Sequence, residues 1–178
     1  MESAGVVAAH AGRGLWGIGR IAMNNDHRHL LRLSRIYLDN PLYFITTCTY
    51  ERRRVLACAE VAAILQDEFA LAKNRHGWHI GRYTIMPDHV HFFCRAGRGH
   101  NKTLPRFMNL WKEWTSKRIA MRLECNAPIW QKGFFDHLLR SDESYAEKWS
   151  YVSNNPVRAG MVARVEDWPY QGCVDFDI

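Results

Sequence analysis

Two histidines separated by one residue are the first side chains in the sequence that could do chemistry. They lie in His89-Val90-His91, which follows Pro87-Asp88 and continues into apolar residues. Successive side chains of a β-strand point to opposite faces, so a strand here would place both imidazoles on one face. Two such imidazoles can bind a single metal ion. A strand with a solvated polar face would carry the same pattern, and the pair alone does not decide between the two.

A tyrosine near the end of the chain is the second candidate. The spacing of Tyr145, Trp149 and Val152 predicts a helix whose apolar stripe packs on a sheet. At about 100° per residue, Tyr151 projects away from that stripe, and Asn155 follows one turn later on the same face. The pattern predicts a phenol and an amide presented together outside the core. A surface tyrosine without a role would fit it as well.

Together these groups suit the cleavage of a phosphodiester. A tyrosine hydroxyl, with a pKa of about 10, is a poor nucleophile at neutral pH, and the negative oxygens of a phosphodiester repel attack. A divalent cation held by His89, His91 and an amide oxygen would polarise the phosphate. Tyr151 could then attack phosphorus and form a covalent phosphotyrosine. Mixed nitrogen and oxygen ligands with open positions favour Mg²⁺ or Mn²⁺ over a closed zinc site.

The elements that must position these residues follow from hydrophobic periodicity. The first half of the sequence predicts a strand over Leu42–Tyr50, a helix over Ala59–Arg75, and strands over Trp78–Ile85 and His89–Arg95. A second helix is predicted over Thr103–Arg122, with an apolar stripe of Leu104, Phe107, Trp111 and Trp114. Short strand segments at Ile129–Gln131 and Phe134–Leu139 follow, and then a helix that is capped by Ser141 and ends by Asn155. This β-α-β-β-α-β-α order predicts an α+β fold: a ferredoxin-like, or RRM-like, antiparallel sheet with the helices packed on one face.

Composition limits the possible partners. A chain of 178 residues, 47% of them hydrophobic, can bury one core. The excess of 24 Lys and Arg over 18 Asp and Glu favours a polyanion such as nucleic acid, although a soluble protein that is simply basic would look the same. Five widely spaced cysteines without a C-x-x-C motif predict reduced thiols in a cytoplasmic protein. No apolar run approaches the roughly 20 residues that span a membrane.

Two motifs, taken together, resemble those of the HUH endonuclease superfamily. They are the strand Met86–His91 and the segment Tyr151–Gly160. Within that superfamily the chain is similar to single-tyrosine insertion-sequence transposases, and most similar to their REP-associated branch. Further matches are Tyr43–Thr47, Trp130-Gln131 and Phe135-Asp136-His137. The resemblance implies a transposase domain over residues 36–172 and leaves the preceding residues unmatched. Residues 1–35, rich in glycine and arginine and without a sustained period, are expected to form a flexible basic N-terminal arm, and residues 173–178 a C-terminal tail.

The resemblance also implies a mechanism. His89 and His91 would ligate the catalytic Mg²⁺ or Mn²⁺, and Tyr151 would be the single nucleophile. The third ligand of related transposases is a glutamine four residues after the tyrosine, a position that Asn155 holds here. Relatives cut single-stranded DNA, often at the foot of a hairpin, and become attached to the 5′ phosphate without a nucleotide cofactor. They include monomers and homodimers.

Contacts with DNA are expected from cationic side chains near these motifs. Candidates are Arg52, Arg53 and Arg54 after the first strand, and Arg158 after the tyrosine helix. His137 could orient a ligand, contact DNA, or be a polar residue at a strand edge. Two other functions stay open. One is a non-catalytic, domesticated DNA-binding module on the same fold, and the other is a metal-dependent nuclease in which water attacks.

Overall fold

A five-stranded antiparallel sheet forms the centre of the fold. The computed structural model describes residues 41–99, 101–139 and 142–178. The strands are β1 (Leu42–Cys48), β2 (Trp78–Met86), β3 (His89–Ala96), β4 (Phe135–Leu139) and β5 (Gln171–Cys173). They lie in the order β4-β1-β3-β2-β5, which places β3 in the middle with β1 and β2 on either side. The predicted N-terminal arm lies outside the described residues.

Four α-helices accompany the sheet in the described part of the chain. They are α1 (Ala59–His76), α2 (Leu104–Leu123), α3 (Asp142–Ser153) and the short α4 (Asn155–Arg158). The first ends where Gly77 adopts a left-handed conformation with φ 74°, which a residue without Cβ reaches at low cost. The second is capped at its N-terminus by Thr103, whose side chain accepts a hydrogen bond from the Arg106 amide. The three long helices confirm the predicted order, and the expected cap at Ser141 lies outside the described residues.

The helices cover both faces of the sheet. Ile45 and Phe92 point to the face on which α1 and α2 form the main core. Their sequence neighbours Phe44 and Phe93 point to the opposite face and pack in a second core with residues of α3. The predicted α+β class with an antiparallel sheet is confirmed, but the prediction that all helices share one face is wrong for α3. Strands β1 and β3 are apolar on both faces, so both faces require a cover.

Three local expectations differ from the structure. Ile129–Gln131 is not a strand and makes only an isolated bridge between Trp130 and Thr49. Strand β5 was not predicted, because three residues are too few to show a period. Trp114 is 46% exposed instead of buried with the rest of its stripe. Its ring lies against the charged groups of Arg75 and Lys117 on the helix surface.

The last residues pack along the β2 edge. Phe176 is buried in the second core, beside Gly81, where any Cβ would collide with the phenylalanine ring. Asp177 pairs with Arg82 of β2 and accepts a hydrogen bond from the Tyr145 hydroxyl of α3. Residues 173–178, expected as a tail, therefore link the sheet edge to the helix that carries Tyr151.

Candidate active site

Strand β3 carries the two candidate metal-binding histidines on one face. The ring centres of His89 and His91 lie 4.7 Å apart, and the ring planes meet at 83°. In the sheet register His91 lies opposite Thr46 of β1 and Thr84 of β2. Backbone hydrogen bonds from both neighbouring strands hold this segment, so the imidazoles project from a rigid support. The predicted shared face is confirmed.

Each imidazole has a hydrogen-bond partner at Nδ1. His89 Nδ1 lies 2.6 Å from Asp88 Oδ1, and His91 Nδ1 lies 2.8 Å from Thr46 Oγ1. The ring of His91 also stacks on Phe44, with centres 5.4 Å apart. A hydrogen-bond partner at Nδ1 fixes the orientation of the ring and leaves Nε2 to bind a ligand. In metal sites, the histidine nitrogen that does not bind the metal is commonly held by such a partner.

Burial and neighbouring charges set the protonation states of His91 and Asp88. Burial holds the pKa of His91 well below its usual value, and the neighbouring charges of His89, Arg52, Lys148 and Arg158 act in the same direction. Burial works to raise the pKa of Asp88, but hydrogen bonding to His89 and the nearby positive charges outweigh it and lower that pKa. Near neutral pH the imidazole of His91 is thus uncharged, the form that binds a metal ion, and Asp88 is a carboxylate.

Helix α3 presents the candidate nucleophile above the same face of the sheet. Tyr145 and Val152 are buried in the second core, whereas Tyr151 is 64% exposed. The predicted position of Tyr151 away from the apolar stripe is confirmed. Lys148 of the same helix lies over the Phe44 ring, 5.4 Å from its centre. Since Phe44 stacks on His91, the tyrosine helix and the histidine pair share one side of the molecule.

Tyr151, Asn155 and Arg158 form a cluster where α3 passes into α4. The guanidinium carbon of Arg158 lies 4.0 Å from the centre of the Tyr151 ring. The same group donates a hydrogen bond to Asn155 Oδ1. Asn154, between the two helices, has φ −81° and ψ −2°, in the right-handed region. The amide and the phenol predicted to act together therefore lie on one surface.

The three arginines after β1 have different surroundings. Arg52 Nε lies 2.8 Å from Asp88 Oδ2, and its Nη1 donates to Cys48 Sγ at 2.7 Å. Arg53 donates to the carbonyl oxygen of Pro128. Arg54 is exposed. The DNA contacts predicted for these arginines stay predictions, and two of the three side chains have partners within the protein.

Comparison with known proteins identifies the family. A family model described as "Transposase IS200 like" matches residues 37–155. The chain belongs to this transposase family. The resemblance drawn from the motifs is thereby confirmed, and with it the assignment of the chain to enzymes that process DNA.

Two curated relatives and one solved structure agree with this assignment. The REP-associated tyrosine transposase of Escherichia coli (strain K12) is 26% identical over 136 residues, which are 76% of this chain and 78% of that protein. The "Putative REP-associated tyrosine transposase" of Haemophilus influenzae is 31% identical over 148 residues, 76% of this chain and 81% of that protein. A solved REP-associated tyrosine transposase bound to a REP hairpin has the same fold, with a TM-score of 0.60, 23% identity and coverage of 77% of this chain and 79% of that one.

Two residues of this candidate site have no assigned role in the sequence analysis. Asp88 is one of them, although an acid directly before a candidate metal-binding histidine is a usable signal. Thr46 carries no such signal, because it reaches His91 only through the pairing of β1 with β3.

Exposed His137 lies opposite Phe44 in the register, on the face of the histidine pair.

Within the described part of the chain, no group of three or more His, Cys, Asp and Glu side chains could hold a metal ion. The predicted ligand set differs from such a group because its third member is an amide.

None of the described helices is long and apolar enough to cross a membrane.

Proposed function

We propose that this transposase is a metal-dependent single-stranded DNA endonuclease and strand-transfer enzyme that forms a covalent 5′-phosphotyrosine at Tyr151. One observation carries the proposal. An exposed tyrosine lies on the helix that covers the same sheet face as His89 and His91, whose Nδ1 atoms both have partners. A nucleophile and a pair of oriented nitrogen ligands on one face are the components of metal-assisted phosphoryl transfer.

The donor set suits Mg²⁺ or Mn²⁺. The residues that would hold the ion are His89 and His91 through Nε2 and Asn155 through Oδ1, and DNA oxygens would occupy open positions. When bound, the ion polarises the phosphate and offsets its negative charge. Because Asn155 Oδ1 accepts a hydrogen bond from Arg158, ligation by the amide requires the guanidinium to release that oxygen or share it.

The protein's own residues carry the covalent step. The Tyr151 oxygen attacks phosphorus as its proton leaves, a P–O bond to tyrosine forms, and the bond from phosphorus to the 3′ oxygen breaks. The departing oxygen takes up a proton and becomes a free 3′ hydroxyl. The positive charge of Arg158 beside the ring favours the developing phenolate. Because the phosphotyrosine keeps the energy of the broken bond, a 3′ hydroxyl can attack it in reverse and rejoin the strand.

Hairpin or palindromic repeat DNA is the proposed substrate. The relatives named as REP-associated, and the solved structure with a REP hairpin, support this choice. Arg54 and Arg158 offer positive charge for phosphates. The exposed rings of Tyr50 and Phe135 offer surfaces on which unpaired bases can stack. Phe135 lies opposite Thr46 in the sheet, in the row that leads to His91.

A covalent adduct assay tests this function. Labelled hairpin DNA with a single-stranded extension is incubated with the protein and Mn²⁺, then denatured and separated by size. We expect a denaturation-resistant protein–DNA adduct that disappears with EDTA. Tyr151→Phe should form no adduct and still bind DNA. Tyr170→Phe, a matched loss of a hydroxyl at a tyrosine that packs against Trp168, should still form the adduct.

The other outcomes separate the alternatives. Full cleavage by Tyr151→Phe would mean that water is the nucleophile and would exclude the covalent mechanism. Tight binding by the wild type without any cleavage or adduct would identify a non-catalytic, domesticated DNA-binding module.

A further inference from the structure

The turn after β1 has an unusual backbone. Glu51 and Arg52 adopt left-handed conformations with φ 52° and 57°. Side chains with a Cβ rarely adopt this conformation, because the Cβ approaches the following carbonyl. Two such residues in succession persist only where surrounding contacts hold them, and clusters of this kind occur at functional sites. The Arg52 side chain contacts Cys48 at the end of β1.

Buried contacts hold this turn against the β2–β3 turn. The Thr49 amide donates to the carbonyl oxygen of Asp88 at 2.9 Å. The buried Thr49 hydroxyl lies 3.1 Å from that same carbonyl and 2.8 Å from the carbonyl oxygen of Arg53. The amide of Leu56 donates to the carbonyl oxygen of Pro87 at 2.9 Å. The two turns are thus joined through their backbones, at the residue before His89.

The side chains continue this connection to the candidate metal site. Each carboxylate oxygen of Asp88 has its own partner: Oδ2 lies 2.8 Å from Arg52 Nε, and Oδ1 lies 2.6 Å from His89 Nδ1. The other end of the guanidinium donates to Cys48 Sγ. Rotation of the Asp88 carboxylate would break a contact at one oxygen or the other. A planar guanidinium can hold two acceptors at once in this way, which a lysine ammonium cannot reproduce.

We propose that Arg52 is a positioning residue of the active site, which acts through Asp88 to hold the His89 imidazole with Nε2 directed at the metal ion. This role differs from the DNA contact expected from the sequence, and it rests on the proposed function. Without Arg52, Asp88 loses its ion-pair partner at Oδ2, and only the contact with His89 and a hydrogen bond from its own backbone restrain the carboxylate. The His89 ring then loses the acceptor that sets its tautomer and direction.

Direct measurement on the protein without DNA tests this role. Arg52→Ala and Arg52→Lys are compared with the wild type and with Arg54→Ala, a matched change at an exposed arginine of the same turn. Mn²⁺ affinity is measured by isothermal titration calorimetry, and the tautomer of His89 in the metal-free protein by two-dimensional ¹H–¹⁵N NMR of the imidazoles. Hairpin affinity is measured separately in EDTA.

The expected results distinguish positioning from a phosphate contact. Arg52→Ala should weaken Mn²⁺ binding about tenfold, the lower end of the range for outer partners of metal ligands, and should mix the His89 tautomers. The Mn²⁺ affinity of Arg52→Lys should lie between those of Arg52→Ala and the wild type. Because lysine is a smaller change than alanine, this variant also tests the role if Arg52→Ala does not fold. Hairpin affinity of Arg52→Ala in EDTA should stay within about twofold of the wild type, whereas Arg54→Ala, at a proposed phosphate contact, should lose more.

Two results would overturn the inference. One is unchanged Mn²⁺ affinity and an unchanged His89 tautomer in Arg52→Ala. The other is a loss of hairpin affinity in EDTA as large as that of Arg54→Ala or larger, with Mn²⁺ binding intact. If the wild type itself binds no Mn²⁺, the metal site of the proposed function fails instead. The tautomer comparison then decides the role of Arg52 by itself.

Discussion

The guanidinium of Arg158 lies over the ring of Tyr151, with its central carbon 4.0 Å from the ring centre. It also donates to Asn155 Oδ1, so the residues expected to serve as nucleophile, third ligand and DNA contact form one cluster. Stacking holds the phenol ring in place and puts positive charge over the ring, where it would favour the phenolate formed as the hydroxyl loses its proton. We therefore expect Arg158 to affect the reaction rate in addition to DNA affinity.

Replacing Arg158 should therefore slow the covalent step. A cation–π contact at an exposed site contributes about 0.5–1 kcal/mol, so Arg158→Ala should reduce the rate of adduct formation roughly two- to fivefold. The rate is measured at saturating hairpin and Mn²⁺, where weaker DNA binding has no effect. Arg164→Ala, at a surface arginine paired with Asp167, serves as the control. If Arg158 only contacts phosphate, its loss will lower affinity and leave this saturated rate unchanged.

Replacing His89 should separate catalysis from binding. His89→Ala removes a nitrogen ligand, and cleavage in Mn²⁺ should fall at least about a hundredfold, because polarisation of the phosphate contributes several kcal/mol. Hairpin affinity should change little, since contacts with phosphate and sugar dominate binding. Cleavage and fluorescence anisotropy are measured in parallel, with His79→Ala on β2 as the control. Equal losses in both assays would argue against a metal-binding role for His89.

Phe135 tests the stacking surface. The ring is 47% exposed on the edge strand β4. Stacking of a base contributes about 1–3 kcal/mol, so Phe135→Ala should weaken binding of a hairpin with a single-stranded extension about tenfold. A blunt hairpin should be unaffected, and Phe135→Tyr should restore binding. Met121→Ala, which changes an exposed apolar side chain on α2, is the control. An equal loss on both DNAs would contradict stacking on an unpaired base.

Lys112 should make stability depend on pH in the alkaline range. Burial lowers the pKa of its ammonium group from 10.5 to about 8, while Nζ donates to the carbonyl oxygens of Gln131 and Gly133. Between these two pKa values the unfolded chain binds more protons than the folded one, so the free energy of unfolding rises with pH. From pH 7 to pH 9 this contribution is about 1 kcal/mol.

Chemical denaturation at both pH values measures this contribution of Lys112. Subtracting the pH dependence of Lys112→Met from that of the wild type removes the effect of the cysteines and other groups that titrate in the same range. The wild type should gain about 1 kcal/mol more than the variant. Identical pH dependence in the two proteins would show that Lys112 keeps its ordinary pKa in the folded state.

The sequence by itself determined the parts of this site that depend on neighbouring residues. The pleat of a strand puts His89 and His91 on one face wherever that strand lies. The helical period separates Tyr151 from the stripe of Tyr145 and Val152, whatever the stripe packs against. These relations are set by backbone geometry over a few residues, and the structure confirms both.

Only the tertiary structure decided how these parts meet. Helix α3 packs on the face opposite α1 and α2 because both faces of β1 and β3 are apolar, and an apolar run does not indicate which helix covers which face. Thr46 reaches His91 through strand pairing across 45 residues. Arg52 turns inward to Asp88 because two distant turns are joined through their backbones. Such contacts depend on register and packing between segments far apart in the chain, to which local periodicity is insensitive.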